Sequence, residues 1–178
     1  MEDRKTFWDN AGTAGLALGG VSVAYLAVTQ LLALCTNAPV AIGLAEGVLW
    51  LAKFIGCILL MQFLMKRYAS RLEDATHSDS FAFGATASAL SALVYSACYL
   101  VYVQFIAPDL FEQSISAVLN SYSSMMDSNS RDAMERLIPE LPKISFFANL
   151  IYCFLYGLVV SAILSRKIPS DNPFSKQI

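Results

Sequence analysis

Charge is scarce in this chain. Lysine, arginine, aspartate and glutamate make up 15% of its 178 residues, against 56% hydrophobic ones, whereas an ordinary soluble domain carries about 25% charged residues. The composition therefore excludes a soluble globule and points to a membrane protein. Histidine occurs once, as His77, in a stretch with Ser78, Asp79 and Ser80 that has the make-up of a helix cap. Four cysteines, Cys35, Cys57, Cys98 and Cys153, show no CxxC spacing and read as small apolar residues with no metal or redox task. No paired acids, nucleophile with base, or metal-ligand cluster is visible, so no catalytic site, metal or cofactor is expected. A basic patch interleaved with aromatics is missing too, which removes nucleic acid as a partner.

The hydrophobic residues come in blocks. A bilayer core needs about 20 apolar residues per helix, and four segments qualify: 12–34, 41–64, 81–106 and 144–164. The expected fold is all-α: one domain over 1–178, an integral membrane four-helix bundle. Cys35 ends an apolar run, but Leu34 stands where a lipobox needs a small residue. The run also exceeds the roughly 7 to 15 residues of a signal-peptide core, so the first segment is expected to stay as a helix. Small residues recur four apart as Ala11, Gly15 and Gly19 in span one, with Gly12 and Gly20 beside them. Gly84, Ser88, Ala92 and Ser96 form a similar ridge in span three. Such ridges let helix backbones approach closely.

Positive charge is distributed unevenly. Arg4 and Lys5, then Lys66, Arg67 and Arg71, then Arg166, Lys167 and Lys176 all fall on one side, while the other side has only Arg131, Arg136 and Lys143 in its long connection. The positive-inside rule places both termini in the cytoplasm of a cell inner membrane. Phe7 and Trp8 form an aromatic pair of the interfacial kind. Pro39 suits the first turn of span two.

The long periplasmic connection, 107–143, is expected to be helical. Asp109 and Glu112 resemble a cap with its reciprocal partner, and Phe111, Ile115, Val118, Tyr122 and Met125 recur at helical spacing. A second short helix is expected over 129–138, stopped by Pro139 and Pro142. This amphipathic segment is expected to cap the outer end of the bundle or to dock a partner.

Two charges break the apolar blocks. Glu46 and Lys53 lie seven apart in span two, on one helical face. A central membrane lysine is disfavoured by about 2.5 to 3.5 kcal/mol, which makes it a functional-site hypothesis that requires a partner. Counting about 1.5 Å of rise per residue puts Glu46, Tyr25, Tyr99, Asn149 and Tyr152 in one layer roughly 7 to 14 Å below the outer surface. Lys53 comes out deeper, roughly 20 Å down on the same rise. The expected candidate binding pocket is therefore Glu46, Lys53, Tyr99, Asn149 and Tyr152. The alternative is a buried ion pair that fixes helix register, or a lysine paired with an acid of another membrane protein.

The residues also carry a resemblance. Lys66-Arg67-Tyr68, Ser80-Phe81, Tyr99 and Tyr102 before Phe105, Ile106, Pro108 and Asp109, and Asn149 to Tyr152 resemble an uncharacterised family of small four-span inner-membrane proteins of Bacteroidota, a domain of unknown function. Its members are often encoded beside a family 2 glycosyltransferase of the polyprenyl-phosphate type. The resemblance implies a role near lipid-linked sugars. The leading expectation is a non-enzymatic accessory or subunit of a membrane complex, with the bilayer and another membrane protein, glycosyltransferase-type, or a second copy of the chain as partners. The alternative is a small carrier or translocation factor for an anionic lipid or lipid-linked sugar, using the outer pocket.

Overall fold

The computed structural model describes residues 2–35, 39–72, 75–122 and 127–168. Among these residues six α-helices follow one another: α1 (Glu2–Cys35), α2 (Pro39–Ala69), α3 (His77–Val101), α4 (Pro108–Tyr122), α5 (Ser128–Leu137) and α6 (Leu141–Ser165). A π-helical turn, Tyr102–Ile106, extends α3, and a 3-10 turn, Ile138–Glu140, precedes α6. Among the described residues there is no strand. Four stretches of the described residues are long and apolar enough to cross a membrane, Lys5–Leu32, Gly43–Ala69, His77–Ile106 and Ile138–Ser165. The protein is an all-α, four-span membrane protein, as the hydrophobic blocks require.

The helices outrun the apolar segments that announce them. α1 begins ten residues before position 12, because its polar first turns have tertiary work. Phe7 turns inward against Tyr68 and Phe83, at ring separations of 5.9 and 6.4 Å, while Tyr68 stacks on Phe83 at 4.3 Å. Trp8 stays exposed, so the expected aromatic pair divides into one packing and one surface residue. α6 likewise starts at Leu141. Pro142 therefore stands in the first turn of a helix, where its missing N–H costs nothing, instead of stopping one.

Two compact units emerge, Met1–Tyr95 with Leu150–Ile178, and Ser96–Asn149. In the first, α1, α2, the early part of α3 and the late part of α6 pack together around many small residues and a few large ones, Met61, Met65 and Phe83 among them, while most large apolar side chains face outward. Ala14, Ala87, Ser88 and Ser161 are buried, while Leu16, Leu51, Ile55, Leu59, Leu155 and Val159 are exposed. That inversion is what a lipid solvent permits, since lipid tails are as apolar as leucine and only close packing distinguishes the interior.

The glycines set the helix separations. Gly15 and Gly19 of α1 lie against Ala87, Leu90, Ser91 and Val94 of α3, while Gly12 and Gly20 face open space. The α3 ridge meets a different helix: Gly84 lies against Ser161 and Gly157 against Ser88. Ser88 and Ser161 donate to the carbonyls of Gly84 and Gly157 four residues back, and their hydroxyls are 3.5 Å apart. The two ridges legible in the sequence thus do not pack on each other. α3 is clasped by α1 on one flank and by α6, through Gly157, Ser161 and Ser165, on another.

The basic end of this unit is closed by caps. Thr76 N donates to Asp79 Oδ2 at 3.1 Å and Asp79 N to Thr76 Oγ1 at 3.2 Å, a reciprocal capping box at the start of α3. His77 Nδ1–H donates to the Ser165 carbonyl at 2.7 Å, capping one of the open carbonyls that end α6. His77→Ala is expected to lower stability by about 1 kcal/mol, measured as thermal unfolding in detergent; an unchanged midpoint would mean that the bond contributes nothing.

In the second unit the π-helical turn ends where Ala107 N donates to Tyr102 O at 2.9 Å, and Ala107 leaves helical geometry at φ −141°, ψ 56°. Pro108 forces this, since the residue before proline is pushed out of the α region. Ala107 therefore holds the cap position, and Asp109 lies inside the first turn of α4, where its charge still complements the helix N-terminus. Phe111, Ile115 and Leu119 make the half-buried stripe of α4, whereas Val118 and Tyr122 are exposed. A spacing of four, not alternating three and four, follows the face that is covered. Met125 lies outside the described residues.

Candidate functional site

Lys53 is ten residues from Gly43 and sixteen from Ala69 along its span, or roughly 15 and 24 Å from the two ends. Its side chain turns into the first unit. Nζ lies over the ring of Tyr25 on α1, 4.9 Å from the centroid, and over that of Tyr95 on α3, at 5.0 Å. Both distances fall within cation–π range, where a desolvated contact contributes on the order of 2 kcal/mol. Two such contacts offset the insertion cost of the charge. They leave its hydrogen bonding unanswered: an ammonium has three N–H donors, and among the described residues Lys53 makes no hydrogen bond or ion pair.

Beside the ammonium is a cavity of about 120 Å³. α1 supplies Ser22 to it. α2 supplies Trp50, Lys53, Phe54 and Cys57; α3 supplies Ser88, Ser91 and Tyr95; and α6 supplies Tyr152, Cys153 and Tyr156. The cavity walls are apolar, with a few polar groups pointing in, as binding sites generally are. One of those groups lacks a partner: the Tyr156 hydroxyl is buried with no hydrogen bond, although its ring packs on Phe54 at 5.3 Å. Trp50, Phe54 and Tyr152 are the exposed members of the lining, so the mouth lies between α2 and α6, on the side that faces lipid.

Of the five expected pocket residues, Lys53 and Tyr152 line this cavity. Glu46 shares the α2 stripe of Lys53 but sits two turns nearer the start of the helix, half-buried and outside the lining, and among the described residues it is not in an ion pair with Lys53, whereas Lys143 pairs with Glu140 at 2.8 Å. Tyr99 and Asn149 are half-buried and belong to the second unit. Depth counting alone missed Trp50, Phe54, Cys57 and Tyr156. A helical stripe was the available signal: Trp50, Lys53, Phe54, Cys57 and Met61 recur at spacings that place them on one face of α2 with the lysine.

Fold and cavity together define a multi-pass membrane protein that holds a lysine between aromatic faces inside its helix bundle. The chain belongs to the family described as Protein of unknown function (DUF4199), whose model matches residues 13–166. No curated protein and no solved structure matches it.

Proposed function

We propose that this is a non-enzymatic protein of the cell inner membrane, with both termini in the cytoplasm, that carries or translocates an anionic lipid or lipid-linked sugar by holding its charged group against Lys53. The observation that carries this reading is the direction of Lys53. A lysine kept for a partner protein's acid belongs on the outer surface of a bundle, and this one points inward, beside a cavity, with its donors unmatched. An anion with several acceptor oxygens supplies what Lys53 and the Tyr156 hydroxyl lack, and charge-assisted bonds of this kind are about twice as strong as neutral ones. A mouth on the lipid-facing side suits a ligand whose tail stays in the bilayer.

An accessory role is favoured by a separate feature. α4 exposes Leu110, Val118 and Tyr122, apolar side chains of the kind that dock another protein, of which a membrane glycosyltransferase or a second copy of this chain is the proposed class. The two readings separate in one experiment: purification from native membranes in mild detergent, with mass spectrometry of retained lipids and proteins, for wild type and Lys53→Met. The expected result is a phosphate-bearing lipid held by wild type and lost from the variant. A stoichiometric protein lost instead establishes the accessory role, and no retained species on either chain overturns both.

A further inference from the structure

A second cavity lies at the basic end of the first unit, away from Lys53. It also measures about 120 Å³ and is lined by Asn10, Thr13 and Ala14 of α1, Leu64, Arg67, Tyr68 and Arg71 at and just beyond the end of α2, and Phe83 of α3. Arg67 and Arg71 stand four residues apart, and the turn that follows α2 keeps both on the groove, through Ser70 N to Lys66 O at 2.9 Å and Arg71 N to Tyr68 O at 3.1 Å.

Arg71 is held in place. Its Nη1 donates to Asn10 Oδ1 at 2.8 Å, and the Asn10 amide is fixed in turn by Nδ2 donating to Thr6 O at 2.8 Å. A guanidinium has five N–H donors, so four of Arg71's remain for a ligand. The Arg67 carbonyl accepts from Ser70 Oγ at 3.0 Å, while its guanidinium makes no hydrogen bond or ion pair among the described residues. The Thr13 hydroxyl proton is already donated, to the Asp9 carbonyl at 2.8 Å. Among the described residues no carboxylate lines the groove. Beneath these cations the floor is apolar: Ala14 and Phe83 are buried and Leu64 is half-buried.

We propose that this groove binds an anionic phospholipid, with the phosphate between Arg67 and Arg71 and the glycerol end of the lipid on Ala14, Leu64 and Phe83. Guanidinium forks match phosphate oxygens two at a time, which a lysine ammonium does not, and basic pockets between membrane helices at the cytoplasmic level suit anionic headgroups. The apolar floor distinguishes a tailed ligand from free phosphate, because a hydrated ion gains nothing from Phe83. The site is independent of the one at Lys53.

The test is native mass spectrometry of the full chain from bicelles of phosphatidylcholine with a minority of phosphatidylglycerol, with inorganic phosphate as a separate arm. Wild type is expected to retain phosphatidylglycerol over phosphatidylcholine, and Arg67→Gln/Arg71→Gln to reduce that retention roughly tenfold or more, the loss expected when charge-assisted hydrogen bonds are removed. Lys5→Gln/Lys66→Gln removes the same charge outside the groove and is expected to leave retention within about twofold, as screened surface charges do. Lys53→Met is expected to leave it unchanged, which separates this site from the bundle cavity. Equal losses from the lysine and arginine pairs would reduce the groove to interfacial charge. Phosphatidylglycerol displaced by inorganic phosphate would make the ligand a free anion. Either outcome overturns the proposal.

Discussion

Alanine at Gly15 is expected to destabilise the protein by about 1 to 3 kcal/mol, the usual range for overpacking a filled interior, and leucine there to exceed it. A Cβ at this position would stand 2.6 Å from Leu90 Cβ and 3.1 Å from the Ala87 carbonyl oxygen. The second neighbour is backbone, so relief requires α1 and α3 to move apart, which opens the interior of the bundle. Gly19→Ala meets Val94 Cβ at 2.9 Å and the Ser91 carbonyl at 3.3 Å and is expected to behave alike with a smaller loss. Gly12→Ala and Gly20→Ala are the internal controls. Nothing lies within 4 Å of either added methyl, so only helix propensity changes, and each is expected to stabilise by roughly 0.5 to 1 kcal/mol. Thermal unfolding of the four alanine variants in one detergent checks this. If all four are stabilised, glycine is acting through propensity alone and the close approach of α1 to α3 is refuted.

Lys53→Met is expected to have a large effect on ligand retention and a small one on stability. Were Lys53 half of a buried ion pair with Glu46, removing it would strand a carboxylate and cost about 3 to 5 kcal/mol. The observed arrangement has no such pair. Methionine relieves an insertion cost of about 2.5 to 3.5 kcal/mol and forfeits two cation–π contacts on the order of 2 kcal/mol each, so the terms nearly cancel. Stability is expected to stay within about 1 kcal/mol, by unfolding in detergent, while the bound anion is lost. A drop of several kcal/mol would return Lys53 to a structural role. Tyr25→Leu with Tyr95→Leu extends the test: with both rings gone the charge stays and two contacts of about 2 kcal/mol each are forfeited, so a loss of about 4 kcal/mol is expected.

The sequence by itself determined the spans, because hydrophobic blocks of membrane length admit little but helices when no water is present to satisfy an open backbone. It also determined that Lys53 needed an explanation, since a charge at that depth is costly wherever it points, and it marked small-residue ridges on α1 and α3. Which ridge met which helix was decided only in three dimensions. A small-residue spacing states that something approaches closely and carries no information about the partner, so Gly157, Ser161 and Ser165 became visible as the counterpart of the α3 ridge only once the helices were assembled. Depth counting grouped Glu46, Tyr99 and Asn149 with Lys53 because rise along an axis is one coordinate. The rotation of each helix about its axis is the other, and packing sets it. Tertiary structure alone turned Lys53 toward Tyr25 and Tyr95, left Glu46 outside the cavity lining, and buried the Tyr156 hydroxyl without a partner. It also brought Asn10 to Arg71 across 61 residues of chain, a contact that no local pattern encodes.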